Sequence, residues 1–149
     1  MLIFRYDRIL LDADIVLYNL LGNQEEGAVT RYWVVGASWG GVEHQDQRFV
    51  SQGMWMLGWE EGNQPERAAQ IQPGDRIAIK RMKGQGQTGI RILHLGIVKG
   101  VISETSNVIC TVDWVATNLD RDIAESRGCF QSIHGPFEHD RWIQEVFCL

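Results

Sequence analysis

An α+β fold, a small curved, barrel-like mixed sheet with helices at its periphery, is the architecture this sequence predicts. Three observations lead there. The 149 residues match the commonest size of a single domain with a single core. Hydrophobic residues at 44% and charged residues at 22% are globular values, which excludes a disordered, collagen-like or linker chain. Several apolar, β-rich runs are punctuated by glycine and proline, and the helical stretches do not alternate regularly with them, which disfavours a doubly wound parallel sheet.

Taken in order, Ile9, Leu10, Ala13, Val16, Leu17, Leu20 and Leu21 recur at helical spacing, so an amphipathic helix is expected over residues 9–21. The polar segment Gly22 to Thr30 follows as a loop. Residues 1–30 are thus an N-terminal helix-and-loop extension on a main domain of residues 31–149. From Arg31, RYWVVGAS reads as a buried strand ending at Gly36, and WGGVEHQ as the turn after it. Phe49 to Trp59 sets Gly53 and Gly58 among aromatics, a poor helix and a poor strand, so a structured loop is expected. Pro65 opens a helix through ERAAQI, closed by Pro73-Gly74-Asp75. RIAIKRM and RILHLGIVKGVI form a hairpin around KGQGQTG, and NVICTVDWVAT adds an apolar strand. The tail, LDRDIAESRGCF and HDRWIQEVFCL, gives short helical or irregular elements.

Net charge is −5, from 14 Lys and Arg against 19 Asp and Glu, whereas a protein that coats phosphates is normally basic. Yet Arg76, Lys80, Arg81, Lys83, Arg91 and Lys99 place six of those 14 cations between positions 76 and 99. A basic hairpin on an acidic body presents a polarised face to a phosphate backbone. The competing reading is a set of solvated outward positions on a two-stranded ribbon. Cys110, Cys129 and Cys148 are odd in number and far apart, which suits reduced thiols and a cytoplasmic location. No zinc spacing and no other cofactor signature is present. No run reaches membrane-spanning length, so no membrane partner is expected.

Gly84-Gln85-Gly86-Gln87-Thr88-Gly89 matches the dinucleotide fingerprint, but a strand pattern follows it where a helix is required. It therefore reads as a hairpin tip. Cys129, His134, His139 and Asp140 fit no zinc pattern and lack a third orienting partner for nucleophilic catalysis, so they read as loop residues. The unusual count is tryptophan, six against five Phe and three Tyr. Trp33 and Trp114 lie inside apolar strand runs and are expected in the core, while Trp142 is left unassigned. Trp39, Trp55 and Trp59 lie in glycine-rich segments, where flat faces suit the sandwiching of a base or methylated group. A surface Trp that pins its loop to the core is the alternative for these three.

Four features in order, YWVVGAS, GMW, the pair GDRIAIK and HLGIVKGV, and VDWVAT, make residues 31 to 147 resemble the PUA-like superfamily in its EVE and YTH branches. The tail GCFQSIHGPF…RWIQEVF further resembles the EVE-like domains attached to McrB-type restriction ATPases. The resemblance implies a nucleobase, often modified, flipped into an aromatic pocket. Trp55 would be one wall and Trp39 or Trp59 the other, with Gly36, Ala37 and Ser38 as the edge-reading turn. Lys80, Arg81, Lys83 and Lys99 would touch phosphates. No tryptophan lies between Met82 and Asp113, where YTH domains carry a further cage residue, so methyl-adenine selectivity is not implied. The expected function is non-enzymatic DNA recognition in a modification-dependent restriction or defence system. An ATPase or GTPase motor and a nuclease, fused or encoded nearby, would be its partners. An RNA-modification reader and an ASCH-like hydrolase of modified nucleosides are the alternatives.

Overall fold

The computed structural model describes residues 29–58, 62–104 and 107–148. The helix expected over residues 9–21, and Trp59, lie outside them. In chain order the elements are β1 (Tyr32–Gly36), β2 (Ser38–Trp39), β3 (Glu43–His44), α1 (Asp46–Gln52), β4 (Met54–Met56), α2 (Gln64–Ala68) and β5 (Arg76–Met82). There follow β6 (Ile90–Glu104), β7 (Asn107–Ala116), β8 (Arg121–Ile123), β9 (Ile133–Phe137) and α3 (Arg141–Phe147). The fold is α+β. The main sheet runs β4-β7-β6-β5-β1-β9, with β8 added on β6 and β2–β3 forming a separate ribbon. β1 and β5 are parallel and every other pair is antiparallel. β4 and β9 do not pair with each other, so the curved sheet stays open.

β1 sits inside the sheet with apolar layers on both faces, which is why Tyr32 to Val35 is an unbroken hydrophobic run and does not alternate. Trp33 and Val35 join Ile77, Ile79, Val98 and Val112 under Phe49 of α1 and Ala68 of α2. Tyr32 and Val34 face the opposite layer, where Trp142, Ile143, Val146 and Phe147 of α3 cover Ala78, Ile92 and Leu95. Asp140 starts α3 by accepting the Ile143 N–H at 2.8 Å. The expected core positions of Trp33 and Trp114 hold, Trp114 being half-buried with its Nε1 donating to the Phe49 carbonyl.

Two expectations need correction. Phe49 to Trp59 is not a loop in its first part, because α1 reaches Gln52 and β4 follows it. Gly53, at φ 63°, ends the helix in the left-handed conformation and donates to the Val50 carbonyl. The helix is short and buries only Asp46 and Phe49, so no periodic pattern announces it. The tail is also more regular than expected. β9 pairs with β1 as an edge strand, where Pro136 is tolerated on the free side.

Candidate functional site

Parallel pairing of β1 with β5 sets Gly36 opposite Lys80, so both strands end on the same side of the sheet. Beyond Gly36 the chain turns into the β2–β3 ribbon, and beyond Met82 β5 runs into the glycine-rich hairpin tip. The segment before β9 lies alongside, tied by the Gly36 N–H donating to the Ser132 carbonyl at 2.8 Å. These three strand ends enclose a cleft of about 370 Å³. That volume is at the low end of the range for small-ligand sites.

Its wall carries three cations, Lys80, Arg81 and Lys83, and, among the described residues, no carboxylate. Arg81 donates to Asp46 at 2.7 Å, and Lys83 pairs with the exposed Asp122. Lys80 is nearly buried, its Nζ 3.6 Å from where a Cβ on Gly36 would stand. Two exposed apolar side chains share the lining, Phe130 at 63% exposure from the segment before β9 and Met82 at 40% from the end of β5, where its Sδ lies 3.9 Å from Lys80 Nζ. Ser38 Oγ and His44 Nδ1, cross-strand partners on the ribbon, stand 2.7 Å apart on the same wall. Gln64, buried in α2, fixes the remaining side. Its Nε2 donates to Gln131 Oε1 at 3.0 Å and its Oε1 accepts the Ile133 N–H at 2.8 Å.

His134 supports the same loop, its Nε2 accepting the Gln131 N–H at 2.9 Å. Burial, then the positive charge of Lys80, lowers its pKa to about 4. The folded state thus prefers the neutral ring, and the unfolded chain binds the proton first. Stability is whole above pH 6.5 and falls as pH drops from there through 4. The urea midpoint is therefore expected to decline across that window, and His134→Asn to flatten the decline; an unchanged slope in the variant would refute the assignment.

Of the residues expected at the site, Gly36, Ser38, Lys80, Arg81 and Lys83 converge on the cleft. Among the described residues no tryptophan lines the cleft. Trp55 is 0% exposed in the core, with Nε1 donating to the Gly36 carbonyl at 2.9 Å. Trp39 packs edge-on against Phe49, its indole against Gly58 and under the Arg48 guanidinium. Ala37 is buried beneath the turn. Trp59 lies outside the described residues. Lys99 is exposed at the far end of the hairpin, because Ile97 is opposite Arg76 at the start of β5. The residues that sequence reasoning missed are Phe130, Met82 and His44. The only signal for Phe130 is a lone aromatic after the left-handed Arg127-Gly128 turn.

The remaining motifs are structural. Gly84 to Gly89 forms the β5–β6 hairpin tip, with Gly84, Gly86 and Gly89 all at positive φ. Cys129 is buried in the α3 layer, which pushes its thiol up to about 11 and leaves it a poor nucleophile. His139 lies against the Tyr32 ring, and Asp140 caps α3. Among the described residues no three His, Cys, Asp or Glu side chains are grouped to hold a metal, and no helix is long and apolar enough to cross a membrane.

No protein-family model matches the chain, and no curated protein matches it. Among solved structures it is similar to the YTH domain of the Zygosaccharomyces rouxii MRB1 protein in complex with N6-methyladenosine RNA. The identity is 14%, the match covers 68% of each chain, and the TM-score is 0.36.

Proposed function

We propose that the cleft takes one nucleotide of a nucleic-acid strand with its base turned out of the stack, and that the domain is a base-reading module. The observation that carries this is an exposed aromatic side chain, Phe130, lining one cleft with Lys80, Arg81, Lys83 and Gly36. Extruding a base costs a few kcal/mol, and stacking on an aromatic face returns ~1–3 kcal/mol per base. Cations at the rim add a salt-dependent share. The base edge would meet the Ser38 hydroxyl and the remaining lone pair of the Gly36 carbonyl, since the Gly36 N–H is already given to Ser132. A modified base in DNA, with a motor and nuclease as partners in the cytoplasm, is the finer form of the proposal, and it draws on the sequence resemblance. RNA is its direct competitor.

The test is fluorescence anisotropy at low salt with matched DNA and RNA oligonucleotides, each carrying an unmodified or a methylated base. Binding is expected in at least one series. Phe130→Ala should weaken it about 5- to 150-fold, the equivalent of ~1–3 kcal/mol, without moving the urea midpoint. Equal affinity of wild type and Phe130→Ala for every oligonucleotide that binds would place the site elsewhere. The DNA and RNA arms decide the partner.

One observation favours a second reading, hydrolysis of an acylated nucleoside. Ser38 Oγ and His44 Nδ1 have nucleophile-to-base spacing on the cleft wall. Turnover of such a substrate that disappears in Ser38→Ala would support it, and no turnover would dismiss it.

A further inference from the structure

The structure assigns to Asp46 and His94 the task of holding Arg81 at the cleft, and we infer that Arg81 receives the phosphate of the bound nucleotide. The inference rests on the nucleotide-binding reading above. Asp46 opens α1 and is buried, and both of its carboxylate oxygens are occupied. Oδ1 accepts from Arg81 Nη2 at 2.7 Å, and Oδ2 lies 2.8 Å from Nε2 of His94, which is wholly buried. His94 Nδ1 accepts the Asn118 N–H at 3.0 Å, so the ring proton is on Nε2 and donates to Asp46. Asn118 is in turn tied to α1, its Oδ1 accepting from Gln47 Nε2 at 2.6 Å. A chain of hydrogen bonds therefore runs from the β7–β8 turn through β6 and α1 to the end of β5.

Apolar side chains would fill this space at a lower desolvation cost than a buried carboxylate and imidazole. What the polar chain delivers is one guanidinium in a fixed orientation. Arg81 itself is poorly served by the arrangement. Among the described residues only its Nη2 has a hydrogen-bond partner, and its Nε is buried without one. The side chain remains 28% exposed where it lines the cleft. A planar guanidinium held in place suits an oxyanion, which it meets with paired N–H donors. Lys83, anchored by Asp122, is the neighbouring cation on the same wall. On a chain of net charge −5, a cation-lined cleft concentrates anions where the rest of the surface repels them.

The probe is the tightest-binding oligonucleotide of the panel above, compared with the same strand bearing a neutral methylphosphonate on the 5′ or the 3′ side of the target nucleotide. Wild type is expected to lose about tenfold in affinity for one of the two placements. Arg81→Ala should bind all strands equally weakly, within about twofold, because the removed contact cannot be lost twice. Arg81→Lys should recover only part of the discrimination, since lysine lacks the planar fork. Asp46→Asn should shrink the methylphosphonate effect, whereas a purely structural Asp46 would lower the urea midpoint and leave that ratio untouched. Should Asp46→Asn fail to fold, the Arg81 variants still decide. Wild type indifferent to both methylphosphonates overturns this inference alone and leaves the base reading standing. No binding of any oligonucleotide overturns both.

Discussion

Replacing Trp55 by alanine is expected to destabilise the domain by about 3–5 kcal/mol, read from urea unfolding, and to abolish binding only by unfolding the protein. The indole is wholly buried between sheet and helix among Trp33, Phe49, Leu57 and Val108, so its removal leaves a large apolar cavity. It also orphans the Gly36 carbonyl, which accepts the indole N–H at 2.9 Å. Trp55→Phe separates the two effects. It keeps most of the apolar volume and loses the donor, and about 1–3 kcal/mol is expected from the unsatisfied carbonyl together with the smaller ring. Because Gly36 lines the cleft, Trp55→Phe should also loosen the backbone at the ligand edge, seen as weaker oligonucleotide binding in a protein that remains folded. A Trp55→Ala variant with a wild-type urea midpoint would contradict this placement.

Gly89→Ala is expected to cost on the order of 3 kcal/mol, a large effect for a single added methyl group. The residue sits at φ +84°, where an L side chain is strained by roughly 1–3 kcal/mol. An added Cβ would also collide with the Ile123 carbonyl oxygen and stand 2.8 Å from that of Ala124, both backbone atoms that cannot swing aside. Overpacking of that kind adds about 1–3 kcal/mol. The expected result is a clear loss in the urea midpoint. Gly86→Ala is the control, because its neighbourhood is open and only the positive-φ strain applies. Equal midpoints for the two variants would show that β8 does not press on the hairpin base.

How far the fold was legible depended on whether an element carries an apolar pattern or a turn signature of its own. β1, β5, β6 and β7 are apolar runs of five to fifteen residues bounded by turn residues, and each is found where the pattern places it. α2 begins beside Pro65 as expected. β4, β9 and α1 were not legible, because glycine, proline or polar residues interrupt or flank their few apolar positions and their state depends on a partner. β4 exists through β7, and β9 through β1. The same division runs through the site. Gly36 and the cations at the end of β5 could be named from sequence, since a strand's end and its charges are local properties. Phe130 could not, because its exposure depends on where the segment before β9 comes to rest.

By itself the sequence determined the main strands and most turns, the concentration of cations at one hairpin, and the glycine at the end of the first strand. Which aromatic faces the cleft was decided only by tertiary structure. Trp55 sits in a glycine-flanked segment that reads as a structured loop, yet pairing with Cys110 turns it into the core, because directly opposed residues of an antiparallel pair share a face and Cys110 is buried. Lys99 and Lys83 belong to one basic stretch of sequence, but the hairpin carries them to opposite ends of β5. Charge and composition are properties of a segment, whereas facing and distance follow from strand register, and register is settled by packing against elements far away in the chain.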